Sequence, residues 1–301
     1  MRILVTDQNF GDGAAIERGL VQAAGGELVL EDCKSEAEVA DALARHRPDA
    51  LLVQFAPIGE RALREGNGLA GIVRYGVGVD NIDTRAAEAH GIAVGAVPNY
   101  CVEEVADHTI ALLLAVERGV VALAEQTRAG GWDFRAAGRV RRLRGLTLGS
   151  VGWGRIARAV AARAEALGLG VVAHDPAYPE TASLGDVLRQ ADVLTLHVPL
   201  TDATKGLIGA HELGMLPEGA VVLNAARGGL LDEEALVGAL ESGRLGGAGL
   251  DVLATEPPPP EHPLRRLESV VLTPHAAWYS EAAVVELREK AVAAVLGMVR
   301  A

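Results

Sequence analysis

The sequence predicts an α/β fold made of two doubly wound, Rossmann-like domains with parallel sheets. Half of its residues are hydrophobic but only 3% are aromatic, so the interior must consist mainly of Ala, Val, Leu and Ile. That composition is typical of buried parallel strands covered by helices. The chain has 301 residues, which exceeds a typical single domain and suffices for two compact cores. Short apolar runs also alternate with helical patterns throughout the chain.

The first domain is predicted from a set of short apolar runs interpreted as strands. The segments between them, such as residues 35–45 and 84–90, have the pattern of crossover helices. The predicted strands span residues 2–6, 50–55, 72–75 and 92–97. Together these runs indicate one unit in which helices cover a parallel sheet.

A long helix rich in Ala and Leu is predicted over residues 102–116, after a break at Val97-Pro98-Asn99. It is apolar around too much of its circumference to lie free in solvent. Two interpretations remain open, namely burial against the sheet of its own domain and contact with a second subunit.

A second set of apolar runs predicts a six-stranded sheet, the strand count of a dinucleotide-binding domain. The runs span residues 146–151, 171–175, 193–197, 220–224, 247–252 and 270–273. A final helix over about residues 280–299 starts at Ser280 as its N-cap. Because no strand follows it, we expect this helix to cross back to the first domain. We therefore expect a substrate domain of residues 1–97 and 277–301 and a nucleotide-binding domain of residues 98–276.

Charge and cysteine content exclude several classes of partner. The formal net charge is −12, whereas binding to a phosphate backbone relies on clustered Lys and Arg. The one basic run, residues 139–144, is interpreted as a solvated approach to the next strand. Cys33 and Cys101 form no metal-ligand pattern, and Cys101 is expected to be a packed thiol. We expect a cytoplasmic protein with no signal peptide, no transmembrane segment, no metal and no nucleic-acid partner.

The strongest nucleotide-binding signal is a glycine fingerprint between a predicted strand and a predicted helix. It reads Gly152-Trp153-Gly154-Arg155-Ile156-Ala157, with Ala at the last position, which the fingerprint tolerates. The first glycine permits a tight turn, the second lets backbone N–H groups approach a pyrophosphate, and the helix N-terminus favours negative charge. An ordinary Gly-rich turn is the plainer alternative.

An acidic residue follows the fingerprint at the expected distance. Asp175 ends the next predicted strand, about 20 residues after the glycines. A carboxylate there accepts hydrogen bonds from both ribose hydroxyls of NAD but repels the 2′-phosphate of NADP. We therefore expect NAD as the cofactor. The alternative is a surface Asp that caps a turn before Pro176.

Three charged residues lie just past the tips of predicted strands: Arg227, Glu256 and His275. The carboxyl ends of parallel strands share one crevice, so these side chains can converge on one small ligand. Arginine binds a carboxylate through two hydrogen bonds, and an imidazole kept charged by a carboxylate can give a proton to a carbonyl oxygen. The three together are what the reduction of a 2-oxo acid requires. Taken singly, each has a plainer interpretation as a strand cap, a surface ion pair or a solvated acid.

These motifs together resemble the D-isomer-specific 2-hydroxyacid dehydrogenases over nearly the whole chain. The resemblance rests on RYGVGVDN at residues 74–81, the glycine fingerprint, NAARGGLLDEEAL around Arg227, Asp251 with Glu256, and TPHAAWYSE around His275. Within the family, residues 274–280 look most like the C-terminal binding protein branch, whose best-known members are NAD-regulated corepressors.

The resemblance implies a role for each site residue. His275 is expected to be the acid/base, Glu256 to orient and charge it, and Arg227 to hold the substrate carboxylate. The expected substrate-binding residues are Tyr75, Gly76, Val77 and Gly78, through backbone N–H groups, and Trp278. The expected cofactor-binding residues are Gly152, Trp153, Gly154, Arg155, Ile156, Asp175, His197, Pro199, Ala225, Ala226 and Asp251, the last bonding the nicotinamide carboxamide. The resemblance also implies an active-site cleft between the domains, a homodimer formed by the nucleotide-binding domains, and a C-terminal helix that rejoins the substrate domain.

Several alternatives stay open at this point. Formate dehydrogenases of this superfamily have Gln where this chain has Glu256, which favours a 2-oxo acid here, and phosphite dehydrogenases have a lysine near Arg74 or Tyr75. Trp278 either forms an apolar wall for the substrate side chain or packs a helix. A rival of another class is an NAD(H)-sensing dimeric scaffold with little turnover. Which 2-oxo acid is used, with pyruvate, glyoxylate, hydroxypyruvate and 4-methylthio-2-oxobutyrate as candidates, cannot be derived from the sequence.

Overall fold

The computed structural model describes residues 1–66 and 68–300. The chain divides into two compact units, the first comprising Met1–Cys101 and Tyr279–Ala301 and the second Val102–Trp278. Among the described residues, no helix is both long and apolar enough to cross a membrane.

The first unit is built on a parallel sheet of five strands in the order β2-β1-β3-β4-β5. The strands are β1 (Arg2–Val5), β2 (Glu27–Leu30), β3 (Ala50–Val53), β4 (Gly71–Arg74) and β5 (Ala93–Gly95). Its helices are α1 (Ala15–Ala23), α2 (Glu36–His46), α3 (Glu60–Glu65), α4 (Thr84–Ala89) and, from the C-terminus, α11 (Glu281–Arg300). Sequence reasoning missed β2, because a four-residue edge strand that begins with an exposed Glu gives little apolar signal.

The C-terminal helix α11 packs against α1, β3, β4 and β5 of the first unit. It is capped by Ser280, whose Oγ accepts a hydrogen bond of 2.9 Å from the N–H of Ala283. Leu287, Ala291 and Val295 form its buried face. The last segment of the chain thereby packs on the sheet of the first unit.

The second unit contains a parallel sheet of six strands in the order β11-β10-β9-β8-β6-β7. The strands are β6 (Thr147–Val151), β7 (Gly170–His174), β8 (Val193–Leu196), β9 (Ala220–Asn224), β10 (Leu245–Leu250) and β11 (Val270–Leu272). The helices are α5 (Val102–Glu117), α6 (Val120–Arg128), α7 (Arg155–Ala166), α8 (Leu184–Gln190), α9 (Ala210–Met215) and α10 (Glu233–Glu241). Two parallel sheets in one chain confirm the predicted α/β, Rossmann-like fold.

The long apolar helix α5 is buried against its own unit. Ala106, Leu112 and Leu113 lie in one core cluster with Leu148 of β6 and Leu223 of β9. The structure thus supports burial within the unit as the explanation of this helix.

The basic run before β6 is solvated at Arg139, Arg142 and Arg144, as expected, but not at Arg141. Arg141 forms a buried ion pair with Glu117 of α5, and its side chain is only 13% exposed. Its guanidinium also donates to the carbonyl oxygen of Asp192 at 3.1 Å. Arg141 therefore joins the segment before β6 to α5 and to the backbone at Asp192. A charge pattern alone does not reveal this role.

Candidate active site

The turn between β6 and α7 contains one glycine that no other residue could replace and one glycine that is open to a ligand. Gly152 has φ +102°, and a Cβ there would lie 2.4 Å from the carbonyl oxygen of His197, so only glycine fits. Gly154 is the opposite case, because the position of its Cβ has open space around it. The backbone can therefore be approached at Gly154, and α7 begins at the next residue, Arg155. These features fit a bound pyrophosphate at a helix N-terminus.

Asp175 is attached directly to the fingerprint turn. Its Oδ2 accepts a hydrogen bond of 2.8 Å from the N–H of Trp153, and its Oδ1 accepts one of 2.9 Å from the N–H of Ala177. The turn-capping bond and the link to the fingerprint are thus both present. Each carboxylate oxygen keeps a second lone pair, so the acid can still accept from ribose hydroxyls.

Arg158 and Tyr178 border the same turn and were missed by sequence reasoning. The guanidinium carbon of Arg158 lies 4.7 Å from the ring centroid of Tyr178 and 5.9 Å from that of Trp153. Its Nε donates to the carbonyl oxygen of Trp153 at 3.0 Å. This cation–π arrangement joins α7 to the turn that follows Asp175. The two residues lie on different elements, so no local motif connects them.

His197 follows β8, and its backbone lies against the turn at Gly152. Its N–H donates to the carbonyl oxygen of Val151 at 2.7 Å, and its Nε2 lies 2.9 Å from Oγ1 of Thr195. Burial of the imidazole lowers the pKa of His197 to about 4. The ring is therefore neutral near pH 7 and serves as a structural support for the turn. Pro199, two residues later, is exposed, and its carbonyl oxygen accepts from Thr204.

His275 and Glu256 form a hydrogen-bonded pair in the second unit. Nδ1 of His275 lies 2.7 Å from Oε2 of Glu256, and the two side chains are 34% and 36% exposed. With Nδ1 engaged by the carboxylate, Nε2 is the ring atom left to exchange a proton with a ligand. The pair is therefore accessible to solvent and has the composition of an acid/base pair.

The carboxyl group of Glu256 is held in its charged form. Burial on its own raises the pKa of Glu256, but the hydrogen bonds from His275 and from the N–H of Leu253, with the charges of His275 and Arg227, lower it below its ordinary value. The bond from Leu253 measures 2.9 Å to Oε1. One oxygen of Glu256 is thus fixed by backbone, and the other is turned to the imidazole.

The loop that carries His275 is organised by the buried Asp251 at the end of β10. Oδ1 of Asp251 accepts from the N–H of Ala276 at 2.9 Å, and Oδ2 accepts from the N–H of Ala277 at 2.8 Å. Its carbonyl oxygen accepts from the N–H of His275 at 2.8 Å. His275 has φ +54°, a conformation rare for non-glycine residues that needs such support. The contacts of Asp251 in the structure are therefore with the His275 loop, and its bond to a carboxamide stays a prediction.

Thr273 and His108 extend this arrangement. The hydroxyl of Thr273 donates to Oδ1 of Asp251 at 2.6 Å, so it accepts from Nε2 of His108, which lies 2.9 Å away. The link from α5 to β11 could not be found from sequence, because 165 residues separate its members.

Arg227 is placed by a close crossing of two loops. A Cβ on the next residue, Gly228, would lie 1.9 Å from the carbonyl carbon of Leu253, so the Arg227 loop touches the loop that leads to Glu256. The buried side chain of Asn224 fixes the same turn, donating to the carbonyl oxygen of Arg227 at 2.9 Å and accepting from the N–H of Ala226 at 3.0 Å. Ala225 lies between Asn224 and Ala226 in this turn. Arg227 thus lies near enough to Glu256 for the charge of its guanidinium to help lower the pKa of Glu256.

A cavity of about 380 Å³ opens beside the pair, lined among others by Glu256, Pro257, Thr273 and His275. Trp278 lies close by, and its indole N–H donates to the carbonyl oxygen of His275 at 2.9 Å. This bond shows that Trp278 helps to hold the His275 loop.

The expected substrate loop lies in the first unit, after β4. The N–H of Tyr75 donates to the carbonyl oxygen of Val53 at 2.8 Å, so that donor belongs to the sheet, and the expectation that Tyr75 offers it to a substrate is corrected. The side chain of Tyr75 is buried as well. Gly76 follows with φ +148°, and Val77 is 41% exposed. Gly76, Val77 and Gly78 therefore remain the candidates for substrate contact in this loop.

Comparison with known proteins agrees with these features. Residues 110–277 match the family described as "D-isomer specific 2-hydroxyacid dehydrogenase, NAD binding domain". Glycerate dehydrogenase of Methylorubrum extorquens is 38% identical over 250 residues, which are 80% of this chain and 79% of that protein. Hydroxypyruvate reductase of Thermotoga maritima is 37% identical over 236 residues, 75% of this chain and 77% of that protein.

One solved structure is similar to this chain over its full length. The crystal structure of TT0316 protein from Thermus thermophilus is 38% identical, has a TM-score of 0.89, and covers 100% of this chain and 97% of its own. The family match, the relatives and the NAD-type turn together confirm an NAD-dependent oxidoreductase. The chain belongs to the D-isomer-specific 2-hydroxyacid dehydrogenases.

Proposed function

We propose that this protein reduces a small 2-oxo acid to the D-2-hydroxy acid with NADH, with His275 and Glu256 as the acid/base pair and Arg227 as the carboxylate anchor. The observation that carries the proposal is the 2.7 Å contact between Nδ1 of His275 and Oε2 of Glu256. NADH, when bound, supplies the hydride that reaches the carbonyl carbon.

The residues of the chain supply the remaining chemistry. Nε2 of His275 gives its proton to the carbonyl oxygen as charge develops there, while Glu256 stabilises the imidazolium through Nδ1. Arg227 binds the substrate carboxylate through its planar fork and draws charge toward the same side. Backbone N–H groups of Gly76, Val77 and Gly78 are proposed to bind the carboxylate of the substrate. The side chain of Asp251 holds the loop that carries His275.

The names of the relatives favour substrates with a short polar side chain. They include a glycerate dehydrogenase and a hydroxypyruvate reductase. We propose hydroxypyruvate as the first substrate to test, with glyoxylate, pyruvate and 4-methylthio-2-oxobutyrate next. The resemblance of residues 274–280 to the C-terminal binding protein branch stays a hypothesis that would favour the more apolar 2-oxo acids.

A panel of these four 2-oxo acids, assayed with NADH and with NADPH, tests the proposal. Chiral analysis follows for the products of the other three acids, because the glycolate formed from glyoxylate has no stereocentre. We expect turnover with NADH, a lower rate with NADPH because of Asp175, and a D product. An L product, or turnover of none of the panel, would contradict the proposed function. NADH binding without turnover would support the rival function of an NAD(H)-sensing scaffold.

We further propose a homodimer and a cytoplasmic location. An exposed apolar surface on the second unit supports the dimer: Trp132 is 91% exposed and Phe134 82%, and the neighbouring helix α6 exposes Val120 and Val121. An apolar surface of this kind indicates an interaction site. Sedimentation at several protein concentrations tests it, with a monomer at all concentrations as the contrary result.

A further inference from the structure

A buried ion pair in the first unit has no part in the chemistry described so far. Nε and Nη2 of Arg288 on α11 donate to Oε1 and Oε2 of Glu17 on α1, at 2.8 Å and 2.6 Å. The side chain of Arg288 is 4% exposed and that of Glu17 is 0% exposed. Nη2 of Arg288 also donates to Oδ1 of Asp12 at 2.8 Å.

The same carboxylate holds the residue that begins the expected substrate loop. The hydroxyl of Tyr75 donates to Oε1 of Glu17 at 3.2 Å. Tyr75 directly precedes Gly76, Val77 and Gly78, so both its ends are fixed, the backbone by the sheet and the phenol by Glu17. Burial first, and then the charge of Glu17, raise the pKa of Tyr75 well above its ordinary range, so the phenol stays a donor.

Phe10 completes the packing around this phenol. Its ring meets that of Tyr75 edge to face, with centroids 5.4 Å apart, and the guanidinium carbon of Arg288 lies 4.9 Å from its centroid. Phe10 and Asp12 belong to the loop that follows β1, which is also tied to Gln54 after β3 through the N–H of Asn9 at 3.1 Å. Arg288 therefore joins the C-terminal helix, the β1 loop and the start of the substrate loop.

Stability alone is a poor reason for such a cluster. The desolvation of two buried charges largely offsets their attraction, and well-packed apolar residues often serve as well. What a bidentate Arg–Glu pair adds is a fixed direction for every hydrogen bond it makes, because the guanidinium fork and the carboxylate are both planar. Here the atom placed in this way is the hydroxyl of Tyr75.

We propose that Arg288 is a positioning residue for the substrate: through Glu17 and the phenol of Tyr75 it sets the loop at Gly76–Gly78 that receives the 2-oxo acid carboxylate. This inference rests on the proposed function. It assigns to the C-terminal helix a role in substrate affinity that acts apart from cofactor binding.

The test compares the KM of the 2-oxo acid with the Kd of NADH in Tyr75→Phe, Arg288→Met and the wild type. Tyr75→Phe removes one hydroxyl and should fold, and we expect its KM for the 2-oxo acid to rise about fivefold while the Kd for NADH changes less than about twofold. Arg288→Met should raise the same KM at least about tenfold. Combined in one chain, the two changes should raise KM by less than the product of their separate effects, because they break one network.

Arg141→Met is the matched control, because it breaks a buried Arg–Glu pair in the second unit. We expect Arg141→Met to lower thermal stability without changing the ratio of the KM for the 2-oxo acid to the Kd for NADH. Hydrogen exchange adds a readout that needs no turnover: the amides of residues 76–80 should exchange faster in Tyr75→Phe and Arg288→Met, but not in Arg141→Met.

The outcomes separate the two claims. If the wild type is active and Tyr75→Phe has the same KM for the 2-oxo acid, the inference is overturned and the proposed function is left intact. This holds even if Arg288→Met fails to fold. A parallel rise in the KM of the 2-oxo acid and the Kd of NADH also overturns it, since it indicates a general loss of structure. A wild type that turns over no 2-oxo acid overturns the proposed function and, with it, the substrate role of Arg288.

Discussion

Gly228 lies so close to Leu253 that a Cβ at residue 228 would be 1.9 Å from the carbonyl carbon of Leu253. The contact is between two backbones, so no side chain can move aside to relieve it. It brings the loop of Arg227 against the loop of Glu256, and it depends on a residue that takes no part in the chemistry. The geometry of the charged residues is thus decided partly by the absence of a side chain.

Gly228→Ala should therefore separate the Arg227 loop from the Glu256 loop. We expect kcat/KM for the 2-oxo acid to fall at least about tenfold, because catalytic groups lose rate steeply when displaced by about 1 Å. Steady-state kinetics measure this. Gly238→Ala is the control, since nothing lies near the Cβ position of that glycine in helix α10, and it should keep full activity with equal or higher stability. Equal activity of both variants would show that the contact does not position Arg227.

His275→Ala should abolish reduction while NADH binding is nearly unchanged. The imidazole is expected to touch the reacting oxygen and not the pyrophosphate, and general acid catalysis contributes about 10²–10⁴ in rate. Turnover and NADH affinity, the latter by quenching of Trp153 fluorescence, measure the two effects separately. His90→Ala is a control from the first unit, where His90 pairs with Glu60 at 3.1 Å. If His275→Ala weakens NADH binding as strongly as it slows reduction, the role of His275 is structural.

Glu256→Gln should move the alkaline fall-off of reduction to lower pH. The amide cannot stabilise the imidazolium as a carboxylate does, so the protonated histidine is lost earlier as pH rises. In the wild type, hydrogen bonds hold the pKa of Glu256 below its ordinary value of 4.5, so this acid stays charged throughout the working range. A pH profile of kcat/KM checks the shift. Glu60→Gln, in a His–Glu pair outside the site, should leave the profile unchanged, and identical profiles for all variants would contradict the pairing.

His197 should make folding sensitive to mild acid. Its pKa is lowered from 6.5 to about 4 in the folded chain, so below about pH 6.5 the unfolded state binds a proton that the folded state refuses. Stability contributed by this residue is present above that pH and is lost as pH falls toward 4, up to on the order of 3 kcal/mol.

The comparison of wild type with His197→Gln in urea unfolding at about pH 7 and about pH 5 measures this effect. Glutamine keeps a polar group near Thr195 but does not titrate. We expect the variant to lose less stability than the wild type between the two pH values. The same loss in both proteins would show that His197 is protonated in the folded state.

Local sequence was sufficient to predict the fold class and NAD as the cofactor. Parallel strands reveal themselves as apolar runs because both their faces are buried, and the glycine fingerprint is contiguous because one turn contacts the whole pyrophosphate. The strand-tip positions of Arg227, Glu256 and His275 could be predicted for a similar reason, since topology brings such tips to one edge of a sheet. The short edge strand β2 was not predicted, because a partly exposed edge strand lacks that apolar signal.

Tertiary structure alone decided how these residues are held. The sequence by itself determined which chemical groups are present and at which strand ends, since those depend on residue type and local periodicity. It did not determine that Arg288 would bind Glu17, 271 positions away, or that Arg141 would be buried. Nor did it determine that the N–H of Tyr75 would donate to the carbonyl oxygen of Val53. Such pairings depend on which elements pack together, and a hydrogen bond formed across the core leaves no pattern in the residues near either partner.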